Sequence, residues 1–384
     1  MSEHQCVAFR AIDGPVSAEN LKYMRSQSSR ADVTPWSFDN TYNYGDFGGN
    51  APEMLRRGYD LHLHYADFGI RRLMIRFPDG LPNARLAKEF FDDESCGYAP
   101  DKTGPGGILC IAPYHEAGQL QPISNFDDWL GRLIPLRAEI MDGDLRPLYL
   151  GNLASAVHGE DDPDTTIEAP VPAGLAELTD AQRALAGLFD LNSAWLTAAA
   201  QASPPLPPDR AAINHHAAWL KAQSAADKDA WLAALMSDSS SAVRAEVLSR
   251  FRRQHKQTPW PTVRAGRSIA QLRSLAKGIA QQADAKKSEQ AARQKARHFA
   301  KLLADPALVE RETAQLAQEQ SQAAYASVGK LLAELREATA GTEKAGLAEL
   351  YAQRLKVSYP SRRGLISALR SAGFLARAKK GASR

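Results

Sequence analysis

From Thr34 to Tyr44 the side chains alternate without a break. Trp36, Phe38, Asn40, Tyr42 and Tyr44 fall to one side, and Pro35, Ser37, Asp39, Thr41 and Asn43 to the other. A period of two in aromatic company predicts a half-buried β-strand with one aromatic face. The run ends in Gly45-Asp46-Phe47-Gly48-Gly49-Asn50, a polar loop whose glycines permit backbone conformations closed to other residues.

The same reading sets out the rest of the chain. Cys6 to Ile12 predicts a strand, and Ser17 caps a following helix. A second helix is expected from about Pro52 to Phe68, ended by Gly69. Arg71 to Pro78 predicts a strand with Leu73, Ile75 and Phe77 on one face, and Asn83 to Phe91 a helix. Gly107 to Tyr114 is nearly continuous in apolar residues, which suits a central strand covered on both faces. A helix starting at Asn125 or Asp127 runs through Trp129, Leu133 and Leu136, and Leu145 to Leu150 is expected to return as a strand. Such alternation of strands and helices over residues 1–157 predicts a mixed α/β layer domain. Residues 158–177, acidic and proline-rich, predict a linker or long surface loop. Residues 178–258 predict a helical domain, with helices from Asp180 to Gln201, Arg210 to Ser224, Asp227 to Met236 and Ser241 to His255. The predicted fold class is therefore α+β.

Residues 259–384 close the chain with a basic helical hairpin and short helices. The long stretch from Thr262 to Leu303 begins with a packing stripe at Ile269, Leu272, Leu275 and Ile279. From Asp284 to His298 it has no apolar residue larger than alanine, so it projects into solvent or lies along something acidic. A second long helix is expected from Asp305-Pro306, regaining an apolar face at Leu316, Val328, Leu331 and Leu335 and folding back antiparallel. Leu347 to Leu355 and Arg363 to Phe374 predict two closing helices.

Composition narrows the class. Hydrophobic residues at 44% and charged residues at 24% describe a soluble globular protein, long enough at 384 residues for two or three domains. No apolar run reaches a membrane-spanning length, and the N-terminus lacks the basic and apolar regions of a signal peptide. Cys6, Cys96 and Cys110 are odd in number and widely spaced, so a reducing, cytoplasmic setting is expected without disulfides or a zinc site. The net charge of +3 conceals a division: residues 241–384 carry 28 Lys and Arg against 11 Asp and Glu, a net +17, while residues 1–240 stand at −14. A basic segment of this kind calls for an acidic partner, which is nucleic acid, an acidic protein or the chain's own front half.

Candidate chemistry is sparse. The loop at Gly45 lacks phosphate-binding spacing, and Lys102 to Gly107 precedes a strand instead of following one. His62 and His64, placed on the expected helix, diverge at i and i+2 and miss metal-ligand spacing. His158 stands beside acids without a calcium-loop pattern, His215-His216 has no ligand partners, and no serine occupies a nucleophile elbow. Cys110 reads as a small buried hydrophobe. No reaction, cofactor or metal follows from these residues. The aromatic strand has two readings, one as core and one as a stacking platform served by Arg71, Arg72 and Arg76. The favoured function is a non-enzymatic binding or scaffold protein. Its basic helices would contact nucleic acid or an acidic protein through Lys286, Lys287, Arg293, Lys295, Arg297, Arg362 and Arg363. The alternative is an enzyme or small-ligand binder with a pocket formed by Trp36, Asn40, Tyr42, Asp46, Arg72 and His115, the last beside Glu116 at a strand end.

Phe9-Arg10-Ala11-Ile12-Asp13 with Pro15, Ser28-Ser29-Arg30-Ala31, and Thr34-Pro35 with Ser37-Phe38, Asn40 and Tyr42 form one recurring pattern. Gly45-Asp46-Phe47 with Gly49, and Gly69 with Arg71 through Pro78, extend it, and Ala198 through Leu206 matches more loosely. On these residues the first 80 or so positions resemble a family of uncharacterised bacterial proteins. Where that pattern has an aspartate and a tryptophan, this chain has Asn50 and Phe68. The resemblance implies a bacterial module and brings no activity with it.

Overall fold

The computed structural model describes residues 4–43, 45–92, 95–115, 126–159, 161–206, 212–236, 240–254 and 260–376. The fold is α+β, an N-terminal antiparallel sheet followed by helices. Two compact units divide it, Met1–Ala280 and Gln281–Arg384.

Seven strands make the sheet: β1 (Gln5–Arg10), β2 (Asp32–Val33), β3 (Ser37–Tyr42), β4 (Leu61–Ala66), β5 (Ile70–Phe77), β6 (Cys96–Pro100) and β7 (Gly107–Ile111). Their order is β2-β3-β1-β4-β5-β7-β6, and every pair is antiparallel. The expected strand–helix alternation is thus corrected to an antiparallel sheet with one large helical layer. Period-two geometry sends Ala8, Leu61, Leu63, Leu73, Ile75, Leu109 and Ile111 into that layer, a core shared with α4 (Phe126–Leu133), α5 (Pro135–Met141), α6 (Arg146–His158) and α7 (Asp180–Leu188). Val7, Phe9, Phe38, Tyr42, Met74 and Ile108 face the other way, under α1 (Ala18–Ser26) and α2 (Ala51–Arg56). Ser17 caps α1 as predicted, accepting from the Asn20 amide. The short α3 (Ala84–Ala87) runs into a 3-10 turn before β6.

Several expectations are revised. The helix predicted through Phe68 stops at Arg56, and Leu61–Ala66 is strand β4, hydrogen-bonded on both edges by β1 and β5. Gly69, with φ +118°, serves the turn between β4 and β5 instead of capping a helix. The strand expected at Leu145–Leu150 belongs to α6, which buries Leu148, Tyr149, Leu150 and Leu153. Short apolar runs of this length fit a buried helix as well as a strand. Strand β6 was not foreseen, since Gly97 and Pro100 both disfavour strands; it lies at the sheet edge, where proline is tolerated. The single helix expected over Asp180–Gln201 is two, α7 and α8 (Ser193–Ala200). The break carries a left-handed Asp190 (φ +54°), and Asn192 caps α8. Tyr44 lies outside the described residues.

The acidic stretch 158–177 is not a free linker. Ala169, Val171, Ala173 and Leu175 are core, and β8 (Val171–Pro172) pairs with β9 (Thr262–Val263). Glu168, 5% exposed, receives Arg267 Nε at 2.5 Å and Arg267 Nη2 at 3.0 Å, and also the Tyr149 hydroxyl. The segment is therefore held by residues about a hundred positions downstream. The boundaries expected at 157 and 178 fall inside the first compact unit. Helices α9 (Ala212–Ala222), α10 (Ala225–Met236) and α11 (Ser240–Gln254) add a small separate cluster around Trp219, Trp231, Val243 and Phe251.

Helix α12 (Ile269–Ala304) contributes Leu272 and Ala276 to the first unit's core, and the division between units falls within it. The second unit contains α13 (Pro306–Gln318), α14 (Gln322–Thr339), α15 (Leu347–Ser358) and α16 (Arg363–Ser371). Lys295 pairs with Glu337 at 2.6 Å and His298 with Glu334 at 3.0 Å, so α12 and α14 run antiparallel there, the expected hairpin. Its second arm is interrupted between α13 and α14, where Gln320 is left-handed (φ +55°) and Ser321 caps α14.

Replacing Glu168 by alanine leaves the half-buried Arg267 guanidinium and the buried Tyr149 hydroxyl without their carboxylate. The expected cost in urea denaturation is about 3–5 kcal/mol, against less than about 0.5 kcal/mol for Asp161→Ala on the exposed part of the same segment. Equal small effects would mean that the segment is unanchored.

Candidate functional site

Two places carry more polar chemistry than the fold needs: the α1/α2 face of the sheet, and the basic helices of the second unit.

On the sheet, β4 turns His62 and His64 to the face of Val7 and Phe9. The two histidines therefore share a side, where the helix expected for them would have separated them. His62 is 1% exposed; its Nδ1–H donates to the Ala8 carbonyl at 3.1 Å and its ring stacks on Phe9 at 4.1 Å. His64 Nε2–H donates to Gln5 Oε1 at 3.0 Å, while the Gln5 amide donates to Asp46 Oδ1 at 2.8 Å and to the Gly45 carbonyl at 3.1 Å. This relay fastens the glycine-rich loop to the sheet, and Phe47 packs against Phe9, Phe38 and Tyr42. Burial, reinforced by the His64 charge, pushes His62 down to about 3. Burial and the Arg72 guanidinium push His64 to about 4. Both rings are neutral near pH 7. One nitrogen of each is engaged, and no group of three metal-ligating side chains exists among the described residues.

Arg72 stands opposite His64 in register and lines a pocket of about 520 Å³ with Gly48, Gly49, Asn50, Pro52, Met74 and Cys110. A second pocket of about 350 Å³ shares Pro52, Met74 and Cys110 and continues to Gly97 and Tyr98. Burial raises the Cys110 thiol, so the sulfur is protonated at neutral pH despite Arg72.

The residues expected to form one pocket are dispersed. Arg72 lines the cavity and Asp46 anchors its loop. Asn40 Nδ2–H and the Tyr42 hydroxyl both donate to Ser28 Oγ, at 3.0 and 3.2 Å. Phe38 and Tyr42 are core, the first of the two readings of the aromatic strand. Trp36 precedes β3 and is 44% exposed. His115 is elsewhere, its ring 4.7 Å from that of His158 and its Nδ1–H donating to the Pro113 carbonyl at 2.9 Å. Burial and the neighbouring His158 push it down to about 4. Glu116 lies outside the described residues, as do the side chains of His215 and His216. Arg71 is buried and paired with Asp190 at 2.9 Å, and Arg76 with Asp101 at 2.7 Å, so neither is available to a ligand.

The second unit has a net charge of +9, from 19 Lys and Arg against 10 Asp and Glu in residues 281–384. Every side chain from Gln281 to His298 is exposed. Lys286, Arg293 and Arg297, at i, i+7 and i+11, fall on one side of α12. Lys287 lies about a quarter-turn away, and Lys295 faces α14 through Glu337. Arg293 also makes an exposed pair with Glu289, worth a few tenths of a kcal/mol. Arg362 stacks on Tyr359 at 4.2 Å and donates to the Ala317 carbonyl, while Arg363 is exposed.

No family model, curated protein or solved structure is matched by this chain. No helix among the described residues is long and apolar enough to cross a membrane.

Gln5 carries no signal of its own in sequence, and a helix over Leu61–Ala66 separates His62 from His64, which strand β4 brings together; Cys110, read as a buried small hydrophobe, is half-buried at the pocket wall. The alternation Leu61-His62-Leu63-His64-Tyr65 was the available signal.

A histidine held neutral in the folded state destabilises it as pH falls, because the unfolded chain takes up the proton first, from about pH 6.5 downward. Lowering the pH from 7 to 5 is expected to cost about 2 kcal/mol through His62 alone, read from urea midpoints. His62→Gln should flatten the profile over that range. An unchanged slope would show that His62 is not held neutral.

Proposed function

We propose that this is a binding protein whose basic C-terminal helices hold an acidic macromolecule, nucleic acid or an acidic protein surface. The observation that carries this reading is the stretch from Gln281 to His298, which buries no side chain yet sets Lys286, Arg293 and Arg297 along one side over about 16 Å. A polar helix of this length gains nothing from a core, and Lys286, Arg297 and Arg293, the last in an exposed pair with Glu289, face outward where they can meet a regular array of negative charge. The acids of the neighbouring helix that could neutralise it, Glu334 and Glu337, are engaged by His298 and Lys295.

A second reading has its own support. Among the described residues Arg72 is the one charged side chain lining the cavity beneath the glycine-rich loop, which suits a small anionic ligand.

The test is a salt titration of the full chain against labelled DNA and RNA. Binding should weaken steeply with salt, and Lys286→Ala, Arg293→Ala and Arg297→Ala together should weaken it and lower the slope of log K against log salt by about 2–3. Lys295→Ala, whose ammonium faces Glu337, should have a smaller effect. No binding of any nucleic acid at low salt leaves the acidic protein partner. A triple variant that binds as the parent does overturns the role of α12.

A further inference from the structure

We propose that α14, α15 and α16 form a helix-turn-helix unit and that α16 enters the major groove of duplex DNA; this rests on the reading of the second unit as a binder of acidic macromolecules. Helix α15 ends at Ser358 and α16 begins at Arg363, a turn of four residues containing Pro360. Both helices pack on α14, in one core that joins Val328, Leu332 and Leu335 to Tyr351 and Leu355 of α15 and to Leu365 and Leu369 of α16. Two glycines allow the close approach of α14 and α16. A Cβ on Gly364 would meet the Tyr325 ring at 2.9 Å, and one on Gly329 would meet Ala372 at 3.3 Å. Two helices joined by a short turn and braced by a third is the arrangement that presents its second helix to a groove.

The free side of α16 has the matching chemistry. Its apolar side, Leu365 and Leu369, is buried, whereas Arg363, Ser367 and Arg370, at i, i+4 and i+7, are exposed on the opposite side. Arg362 just ahead is fixed by Tyr359 and the Ala317 carbonyl, which sets the start of the helix. From Leu350 to the C-terminus there are nine Lys and Arg and no acid, so nothing on α15 or α16 after that point neutralises this face. Guanidinium groups on one helical face can donate two hydrogen bonds to the guanine edge, and hydroxyls such as that of Ser367 can serve a base or a phosphate. A merely electrostatic surface would need neither the buried counter-face nor the braced turn.

The experiment uses the full chain, a duplex of 30 base pairs in length and a single strand of the same length, with guanine N7 methylation as the groove probe. The expected results are preference for the duplex and protection of guanine N7. Arg363→Ala with Arg370→Ala should lose at least about tenfold in duplex affinity. Arg363→Lys with Arg370→Lys keeps the charge and the salt slope but should weaken the N7 protection, because a flexible ammonium lacks the rigid planar fork that guanidinium sets against O6 and N7 together. Unchanged circular dichroism of these surface variants would show that they fold. Equal binding of duplex and single strand, absent N7 protection, or a double alanine variant with parental affinity overturns the proposal while leaving a charge-driven role for α12 intact. Loss of the duplex preference and of N7 protection on changing α12 alone, with the α16 double alanine variant binding as the parent does, would likewise place the contact outside α16. No binding to either form would overturn it and point to an acidic protein.

Discussion

The first unit depends on a sheet that is apolar on both faces. An antiparallel sheet of this size can leave one face in water, and here it does not: α4 to α7 cover one side and α1, α2 and the glycine-rich loop cover the other. Covering the second face brings the polar members of its alternation indoors. His62 and His64 are the consequence, neutral and hydrogen-bonded, and the Gln5–Asp46 relay that satisfies His64 also anchors the loop. The cover leaves a gap over β5 and β7, and the pocket with Arg72 and Cys110 is that gap.

What could be read beforehand follows the range of the forces involved. The Ser17 cap, strand β5 and the apolar strand β7 depend on neighbours in sequence, and were legible. Pro52 does begin a helix, but one that ends after two turns, and the histidines blur the alternation that marks strand β4 beyond it. Nothing in 158–177 signals that Glu168 will be buried, because the groups that make burial tolerable are Tyr149 and Arg267, the second of them 99 positions downstream. Of the expected pocket residues, Arg72 lines the cavity under the glycine-rich loop and Asp46 anchors that loop through Gln5. Asn40, Tyr42 and His115 found nearer partners in Ser28 and Pro113, contacts that period and composition do not encode.

The second unit was more legible because α12 is specified locally. With no apolar side chain larger than alanine between Asp284 and His298, its helicity rests on Ala, Gln, Lys and Arg, all strong helix formers. The same absence of a core exposes its cations. Lys295 and His298 are drawn to α14 by Glu337 and Glu334, which separates one paired side of the helix from the side of Lys286, Arg293 and Arg297. On α16 the division is sharper, with leucines inward and arginines outward. Both helices are thus two-sided elements with one side committed to the protein.

Amide hydrogen exchange of the full chain, with and without duplex DNA at low salt, tests this account most directly. Exposed helix that buries nothing exchanges by local opening, so an acidic macromolecule lying along it must slow exchange there. The account predicts added protection over residues 281–298 and 363–371, with little change in the sheet. Protection confined to the loop at Gly45–Asn50 and the strands around Arg72, with the basic helices unchanged, would contradict it and make the pocket the functional centre.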